Sequence, residues 1–285
     1  MNEGMPSHGR DHSPVLRALT VVAGLALLPY AWMLGQLVIG GVQQLSWSFL
    51  TEAPRHSGRA GGILPIIVST LAILGVTLAA VVPVGLATGV VLCELSRRHA
   101  ALGRAIGSSL DVLAGVPSIV FGLFGNAFFC VTLGLGFSLY AGGLTLACMA
   151  LPLFVRTVDT GLRQVPEDWR RGAVALGMSR TAVFTRLLLP AAAPAVGLGV
   201  VLSTGRALAE TAALVFTSGY VDRMPDSLHD SGRALSVHIY DLTMNVAGAE
   251  RNACATALVL ITLIGFINGL THWLGNRLLA RGIKA

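Results

Sequence analysis

The chain has 285 residues, of which 54% are hydrophobic and only 12% are charged. Soluble domains carry about 25% charged residues, so this composition excludes an ordinary soluble domain and indicates a chain surrounded mostly by lipid. The formal net charge of +6 is not gathered into one basic stripe, which speaks against a nucleic-acid-binding protein.

Uncharged stretches predict about six transmembrane helices, because a bilayer core needs about 20 apolar residues in a helix. The predicted spans are residues 18–41, residues 63–93, two spans within residues 112–155, residues 187–220 and residues 253–276. A tight turn near Gly134, Gly136 and Ser138 is expected to join the third span to the fourth. The predicted fold class is therefore all-α, a polytopic membrane helix bundle.

The loops between these spans carry an uneven number of cations. With the N-terminus inside, fourteen Lys and Arg residues fall on the cytoplasmic face and five on the outer face. Because cytoplasmic loops are enriched in cations, both termini are predicted to be cytoplasmic. Residues 1–14 and 281–285 are predicted to be tails, the first of them disordered. Residues 15–62 are expected to hold the first helix and an outer loop, and residues 63–280 the membrane core.

Catalytic motifs are missing from the sequence. No GxxxxGK[ST] loop occurs, and Lys284 is the only lysine, which excludes a Walker-type ATPase. HExxH, GxSxG and CxxC patterns are also missing, so no catalytic, metal or cofactor site is predicted in this chain.

The loop between the fourth and fifth spans, residues 156–186, has the most specific pattern. Pro166, Glu167 and Asp168 predict the start of a short helix, because proline and acids are favoured in a first turn. Gly177 predicts its end, and a second short helix is expected from about Ser179. On composition alone, this could be a basic loop lying on the membrane surface.

The spacing resembles the EAA loop of binding-protein-dependent ABC importers, which reads EAAxxxG, nine residues, then IxLP. The matching residues here are Arg171, Gly172, Ala173, Gly177, Leu187, Leu189 and Pro190. The resemblance implies a coupling helix that docks on a cytoplasmic ATPase. Arg171 replaces the family's Glu, so either Glu167 takes the acidic role, the ATPase has changed to match, or the subunit is a poorly coupled paralogue.

Other segments resemble permeases of phosphate importers, in particular PstA-type subunits. These segments are SWSFLT, GGILPIIVSTL, PVGLATGVVLCE, LAGVPSIVFGLFG and GRALAETAALVFTSG. The resemblance implies the type I ABC importer permease (MetI-like) fold in a bacterial inner membrane. It also implies a PstC-type second permease, a PstB-type ATPase dimer that binds ATP and Mg, and a PstS-type phosphate-binding protein.

Arg206 and Glu210 are the charged residues within the fifth predicted span. Four residues apart on one helix, they are predicted to share a face and to pair. The pair could simply lock the bundle, or Arg206 could offer its planar donor fork to passing phosphate. Ser203, Thr204 and Thr211 could add hydroxyl groups to the same path, although bonding to helix carbonyls is an equally good explanation for them.

Two alternatives keep the membrane location but change the function. The first is a permease for another oxyanion, such as molybdate or phosphonate. The second is a secondary transporter or channel that works without ATP.

Overall fold

The computed structural model describes residues 13–282. Most of the two predicted tails, residues 1–14 and 281–285, therefore lies outside the described residues. The first helix begins at Ser13, so residues 13 and 14 belong to that helix and not to the predicted tail.

The described residues form a helical bundle with one small hairpin. The elements in chain order are α1 (Ser13–Val42), α2 (Trp47–Thr51), β1 (Pro54–Arg55), β2 (Ala60–Gly61), α3 (Leu64–Arg98), α4 (Ala100–Ala114), α5 (Ser118–Gly125), α6 (Leu139–Gln164), α7 (Glu167–Ala175), α8 (Arg180–Val183), α9 (Leu189–Ala209), α10 (Ala212–Val215), α11 (Leu235–Met244) and α12 (Glu250–Gly282). The strands β1 and β2 pair antiparallel, and π-helical turns extend α5 and precede α9.

Among the described residues, five helices are long and apolar enough to cross a membrane. A sixth crossing is possible if α4 and the helical segment Ser118–Thr132, which meet at a bend of 94°, are counted as one broken span. The count agrees with the six spans predicted, and Gly134 and Gly136 form the predicted turn with φ values of +69° and +59°.

The start of the third span was predicted too late. The uncharged window begins at residue 112, whereas α4 begins at Ala100 and includes Asp111. The Arg156 Nε donates to Asp111 Oδ1 at 2.9 Å, so this carboxylate is paired with a cation of α6. The bend falls at Pro117, which lacks an N–H and disfavours helical geometry at the preceding residue.

The fifth span was predicted too long. The helix α9 ends at Ala209, and Glu210 has φ −81° and ψ 130°, an extended conformation. Residues 210–220, which the prediction included in the span, instead hold the short helix α10 and loop segments.

The helix α6 lies at the centre of the bundle and packs against α3, α4, α5 and α9. Two glycines permit the close approach of α3: a Cβ at Gly85 would lie 2.4 Å from the fully buried Phe154 ring, and one at Gly89 would lie 2.7 Å from Val158. Small residues at such contacts let membrane helices pack closely.

The helix α3, with 35 residues, runs the length of the bundle and defines its two ends. We call residues 43–62 and 210–249 the hairpin end, and residues 94–104 and 156–188 the α7 end. At about 1.5 Å per residue, α3 separates the two ends by about 50 Å.

A buried charged network occupies the hairpin end. Arg233, 8% exposed, pairs with Asp241 at 2.9 Å and donates to the Tyr220 carbonyl oxygen at 2.9 Å and to His238 Nδ1 at 3.2 Å. Burial, with Arg233 close by, lowers the pKa of His238 from 6.5 to about 3. His238 is therefore neutral, which leaves Nδ1 free to accept a hydrogen bond.

Candidate functional site

Two buried hydroxyl groups in the last turns of α9 have no hydrogen-bond partner. Ser203 and Thr204 are both 0% exposed, and neither Ser203 Oγ nor Thr204 Oγ1 has a partner among the described residues. Elsewhere in the bundle, buried threonines bond to the carbonyl four residues earlier, as Thr77 does to Ile73 at 2.8 Å. The alternative of bonding to helix carbonyls is therefore wrong for Ser203 and Thr204.

Arg206 lies on the next turn of the same helix and also has an unsatisfied donor. Its Nε is buried without a partner, although the residue as a whole is partly exposed. Three polar groups without partners thus fall within four residues of one apolar helix. Buried polar groups are nearly always hydrogen-bonded, so this concentration requires an explanation.

The predicted pairing of Arg206 with Glu210 is wrong. No ion pair joins them within residues 13–282, because α9 ends between them and the two side chains no longer share a helix face. The Glu210 carboxylate instead accepts a hydrogen bond from the Ala213 N–H at 3.2 Å, at the start of α10. The Glu210 carbonyl accepts a second one from Ser236 Oγ at 2.5 Å.

Thr211 follows Glu210 in the connection to α10. Its carbonyl oxygen accepts from the Val215 N–H at 3.1 Å, so its backbone helps to form that short helix. The structure therefore brings Ser203, Thr204 and Arg206 together on α9 and places Glu210 and Thr211 in the connection beyond it.

The predicted pair of short helices is present at the α7 end. The helix α7 begins directly after Pro166, with Glu167 and Asp168 in its first turn. Gly177 has φ +74°, a left-handed conformation that glycine adopts without strain, and α8 follows the turn.

The residues of the EAA-like pattern face two directions. Ala173 is 6% exposed and packs into the core, whereas Arg171 and Gly172 are exposed, and a Cβ at Gly172 would have no neighbour within 4 Å. Three large apolar side chains that the pattern does not include are also exposed: Trp169 by 53%, Val174 by 65% and Leu176 by 82%. An exposed apolar group of this kind beside charged residues is typical of a protein-binding surface.

Two ion pairs between α7 and the end of α3 were not predicted. Glu167 pairs with Arg97, and the Arg170 Nη1 lies 3.5 Å from the Glu94 carboxylate. Both helices repeat the spacing Glu-x-x-Arg, at residues 94–97 and 167–170, and this repeat was the available sequence signal. Beside the pairs lies a cavity of about 410 Å³ between α3, α6, α7 and the turn before α9.

Comparison with known proteins assigns the family. Residues 81–281 match the family model described as binding-protein-dependent transport system inner membrane component. The chain belongs to this family and is a permease of an ABC importer, a membrane protein with several spans. Membership implies an ATPase and a substrate-binding protein as partners, and it overturns the alternative of a transporter working without ATP.

Individual relatives cover most of the chain. It is 30% identical over 84% of its length to the probable ABC transporter permease protein YqgI of Bacillus subtilis, and covers 86% of that protein. It is 33% identical over 86% of its length to the phosphate transport system permease protein PstA 1 of Mycobacterium tuberculosis strain H37Rv, and covers 80% of it. For the PstA protein of Haemophilus influenzae the identity is 30%, with 87% of this chain and 86% of the relative covered.

Solved structures show the same fold. A bacterial ABC transporter that imports the acidic polysaccharide alginate has a chain similar to this one with a TM-score of 0.68 at 13% identity, covering 94% of this chain and 96% of that one. The MetNI methionine ABC transporter in an inward-facing conformation gives 0.58 at 18% identity, covering 77% and 95%. The predicted type I ABC importer permease (MetI-like) fold is confirmed.

Proposed function

We propose that this chain is one of two permease subunits in an ATP-driven importer of inorganic phosphate. Relatives named phosphate transport system permeases, at 30–33% identity over most of the chain, support the cargo. The observation that carries the proposal is the set of buried polar groups without partners on α9: Ser203 Oγ, Thr204 Oγ1 and Arg206 Nε.

These three groups suit a transported oxyanion. A guanidinium offers several N–H donors in a planar fork that matches phosphate, and each of the two hydroxyls adds one O–H donor. Donors that are already bonded to the protein would have to break those bonds before they could bind the anion, whereas no such bond has to break at these three groups. Because Ser203 and Thr204 are 0% exposed, their hydroxyls would meet the anion when the bundle opens during transport. Two neutral hydroxyls beside a single cation also keep the attraction weak enough for release, which conduction requires.

Glu210 acts in this proposal through the backbone. By accepting the Ala213 N–H and, at its carbonyl, the Ser236 hydroxyl, it fixes the point where α9 stops and α10 begins. Arg206 is therefore left without a neutralising carboxylate and remains available to an anion, with Thr211 at the mouth of the path.

The proposed partners bind at different parts of the chain. A PstC-type permease would complete the path, and a PstB-type ATPase dimer, which binds ATP and Mg, would dock on the exposed face of α7 that includes Trp169, Arg171, Gly172, Val174 and Leu176. A PstS-type binding protein would deliver phosphate to the hairpin end. Both termini and the α7 end would then face the cytoplasm of a bacterium.

Uptake of radiolabelled phosphate by the reconstituted four-component complex tests the proposal. We expect uptake that requires ATP and that excess molybdate or phosphonate does not abolish, and Arg206→Gln should abolish it while the complex still assembles. Arg251→Gln, at an exposed arginine in the first turn of α12, is the matched control and should transport normally. Normal uptake by Arg206→Gln, or transport of molybdate in preference to phosphate, would contradict the proposal.

A further inference from the structure

We propose that the two ion pairs between α3 and α7, Arg97–Glu167 and Glu94–Arg170, transmit the movement of the coupling helix to the membrane core. This inference rests on the proposed function in that an ATPase is taken to dock on α7. It makes Arg97 and Glu94 positioning residues for transport, although neither belongs to the EAA-like pattern.

The pairs fix the orientation of α7 as well as its position. Glu94 and Arg97 lie three residues apart on α3, and Glu167 and Arg170 lie three apart on α7, so each helix presents one acid and one base on the same face. The first acid of each helix pairs with the base of the other, which is an antiparallel arrangement. If α7 lay in the opposite direction, like charges would face each other.

Apolar packing holds α7 to the core only at a few points. Within α7, Ala173 is the buried residue, and a helix of nine residues is too short to be stable alone. The cavity of about 410 Å³ lies where side chains from α7 and the core would otherwise interlock. Displacement of α7 therefore disturbs little packing, and the ion pairs provide the specific link to α3.

The location of the link suits a transmitting role. The helix α3, which includes Pro83, runs from the α7 end to the hairpin end and packs closely against α6 at Gly85 and Gly89. A displacement of residues 94–97 therefore acts on the part of α3 after Pro83, which packs directly against α6 at Gly85 and Gly89.

Charge exchange in the reconstituted complex tests the link, with phosphate transported per ATP hydrolysed as the measurement. Arg97→Glu and Glu167→Arg should each lower this ratio by about three- to tenfold, since each places like charges in contact. The double variant should restore the ratio to within about twofold of wild type. Glu94→Arg with Arg170→Glu provides a second, independent pair.

The exposed pair Glu52–Arg55 at the hairpin end is the matched control, and exchanging its charges should leave the ratio unchanged. Single variants that keep the wild-type ratio would overturn the inference. So would loss in Glu167→Arg that Arg97→Glu fails to rescue, because Glu167 would then act directly on the ATPase. Absence of phosphate transport in the wild-type complex would count against the proposed cargo instead, and ATP hydrolysis stimulated by the binding protein would then report on the link.

Discussion

The hairpin end and the α7 end use ion pairs under very different conditions. Arg233 at the hairpin end is 8% exposed and has three bonding partners, whereas at the α7 end the Glu167 and Glu94 side chains are 46% and 51% exposed. Removing one partner from a buried pair is strongly destabilising, while an exposed pair contributes little to stability.

The contrast shows where this permease is rigid and where it can move. At the hairpin end, the Asn252 side chain also donates to the Gly58 carbonyl oxygen at 2.7 Å, which ties the hairpin to α12. At the α7 end, a cavity separates part of α7 from the core, and two partly exposed ion pairs link α7 to α3. The hairpin end is therefore expected to be rigid, whereas α7 can be displaced with little loss of packing energy.

The largest effect is expected at Arg233. Arg233→Gln leaves the Asp241 carboxylate without its cation and His238 Nδ1 without its donor, so the free energy of unfolding should fall by about 3–5 kcal/mol. Thermal unfolding of the purified subunit in detergent measures this loss. Arg55→Gln, in the exposed pair with Glu52, is the control and should cost less than about 1 kcal/mol. Equal losses of stability in the two variants would contradict the expectation that the buried pair stabilises the fold more than the exposed pair does.

Substitutions at Thr70 and Thr204 compare a buried hydroxyl that is hydrogen-bonded with one that has no partner. The Thr70 hydroxyl accepts from the Leu235 N–H at 2.9 Å and donates to the Ile66 carbonyl at 2.7 Å, so Thr70→Val should cost about 1–3 kcal/mol of stability. Thr204→Val removes a hydroxyl without a partner and should leave stability within about 0.5 kcal/mol of wild type, yet lower phosphate uptake. A large loss of stability in Thr204→Val would show that its hydroxyl is bonded.

Acid should weaken the hairpin end through His238. Because burial lowers the pKa of His238 from 6.5 to about 3, the unfolded chain takes up a proton in this range that the folded chain does not. Stability should therefore fall by about 1.4 kcal/mol for each pH unit below about 6.5, down to about pH 3. Unfolding followed from about pH 7 to about pH 4.5 measures this dependence.

His238→Gln keeps an acceptor for Arg233 and should flatten the curve over that interval. Asp230, whose pKa the N–H groups of Asp226 and Ser227 hold below its ordinary value of 3.8, titrates at lower pH and does not contribute there. A curve of the same slope in His238→Gln would assign the acid sensitivity to another group.

No loss of stability is expected at Gly172, on the exposed face of α7. A methyl group there meets no neighbour in this chain, and alanine favours helix by up to about 1 kcal/mol, so Gly172→Ala should be neutral or slightly stabilising and should transport normally. Gly172→Trp should also fold normally but should lower phosphate uptake, because it fills the docking surface. Normal uptake by the tryptophan variant would place the ATPase elsewhere.

The spans were predictable wherever charge marked their limits. Uncharged windows located α1, α3, α6 and α12, because lipid excludes charge from exposed helix faces. The start of α4 was missed since Asp111 is paired with Arg156, 45 residues away, and so does not mark a boundary.

The end of α9 could not be predicted for a related reason. The sequence around Ala209, RALAETAAL, has no proline or glycine to mark a helix end. The extended conformation of Glu210 is stabilised by Ser236, 26 residues further on. Residues four apart share a face only while the helix continues. Because α9 ends at Ala209, the hypothesis that Arg206 pairs with Glu210 was wrong. The link between residues 97 and 167 likewise depends on tertiary structure.

The position of Arg206 affects how this subunit is made. It is the one charged residue of α9, and within residues 13–282 no carboxylate pairs with it. Insertion scales give about 2.5–3.5 kcal/mol for a cation at the centre of a span, and Arg206, in the last turn of α9, lies near one end, where the cost is smaller. During biosynthesis, α9 therefore enters the bilayer with a charge that no carboxylate of the described residues compensates, and under the proposed function burial beside the second permease would remove it from lipid. The subunit should accordingly be turned over quickly by membrane proteases when it is produced without its partner, which couples its abundance to assembly.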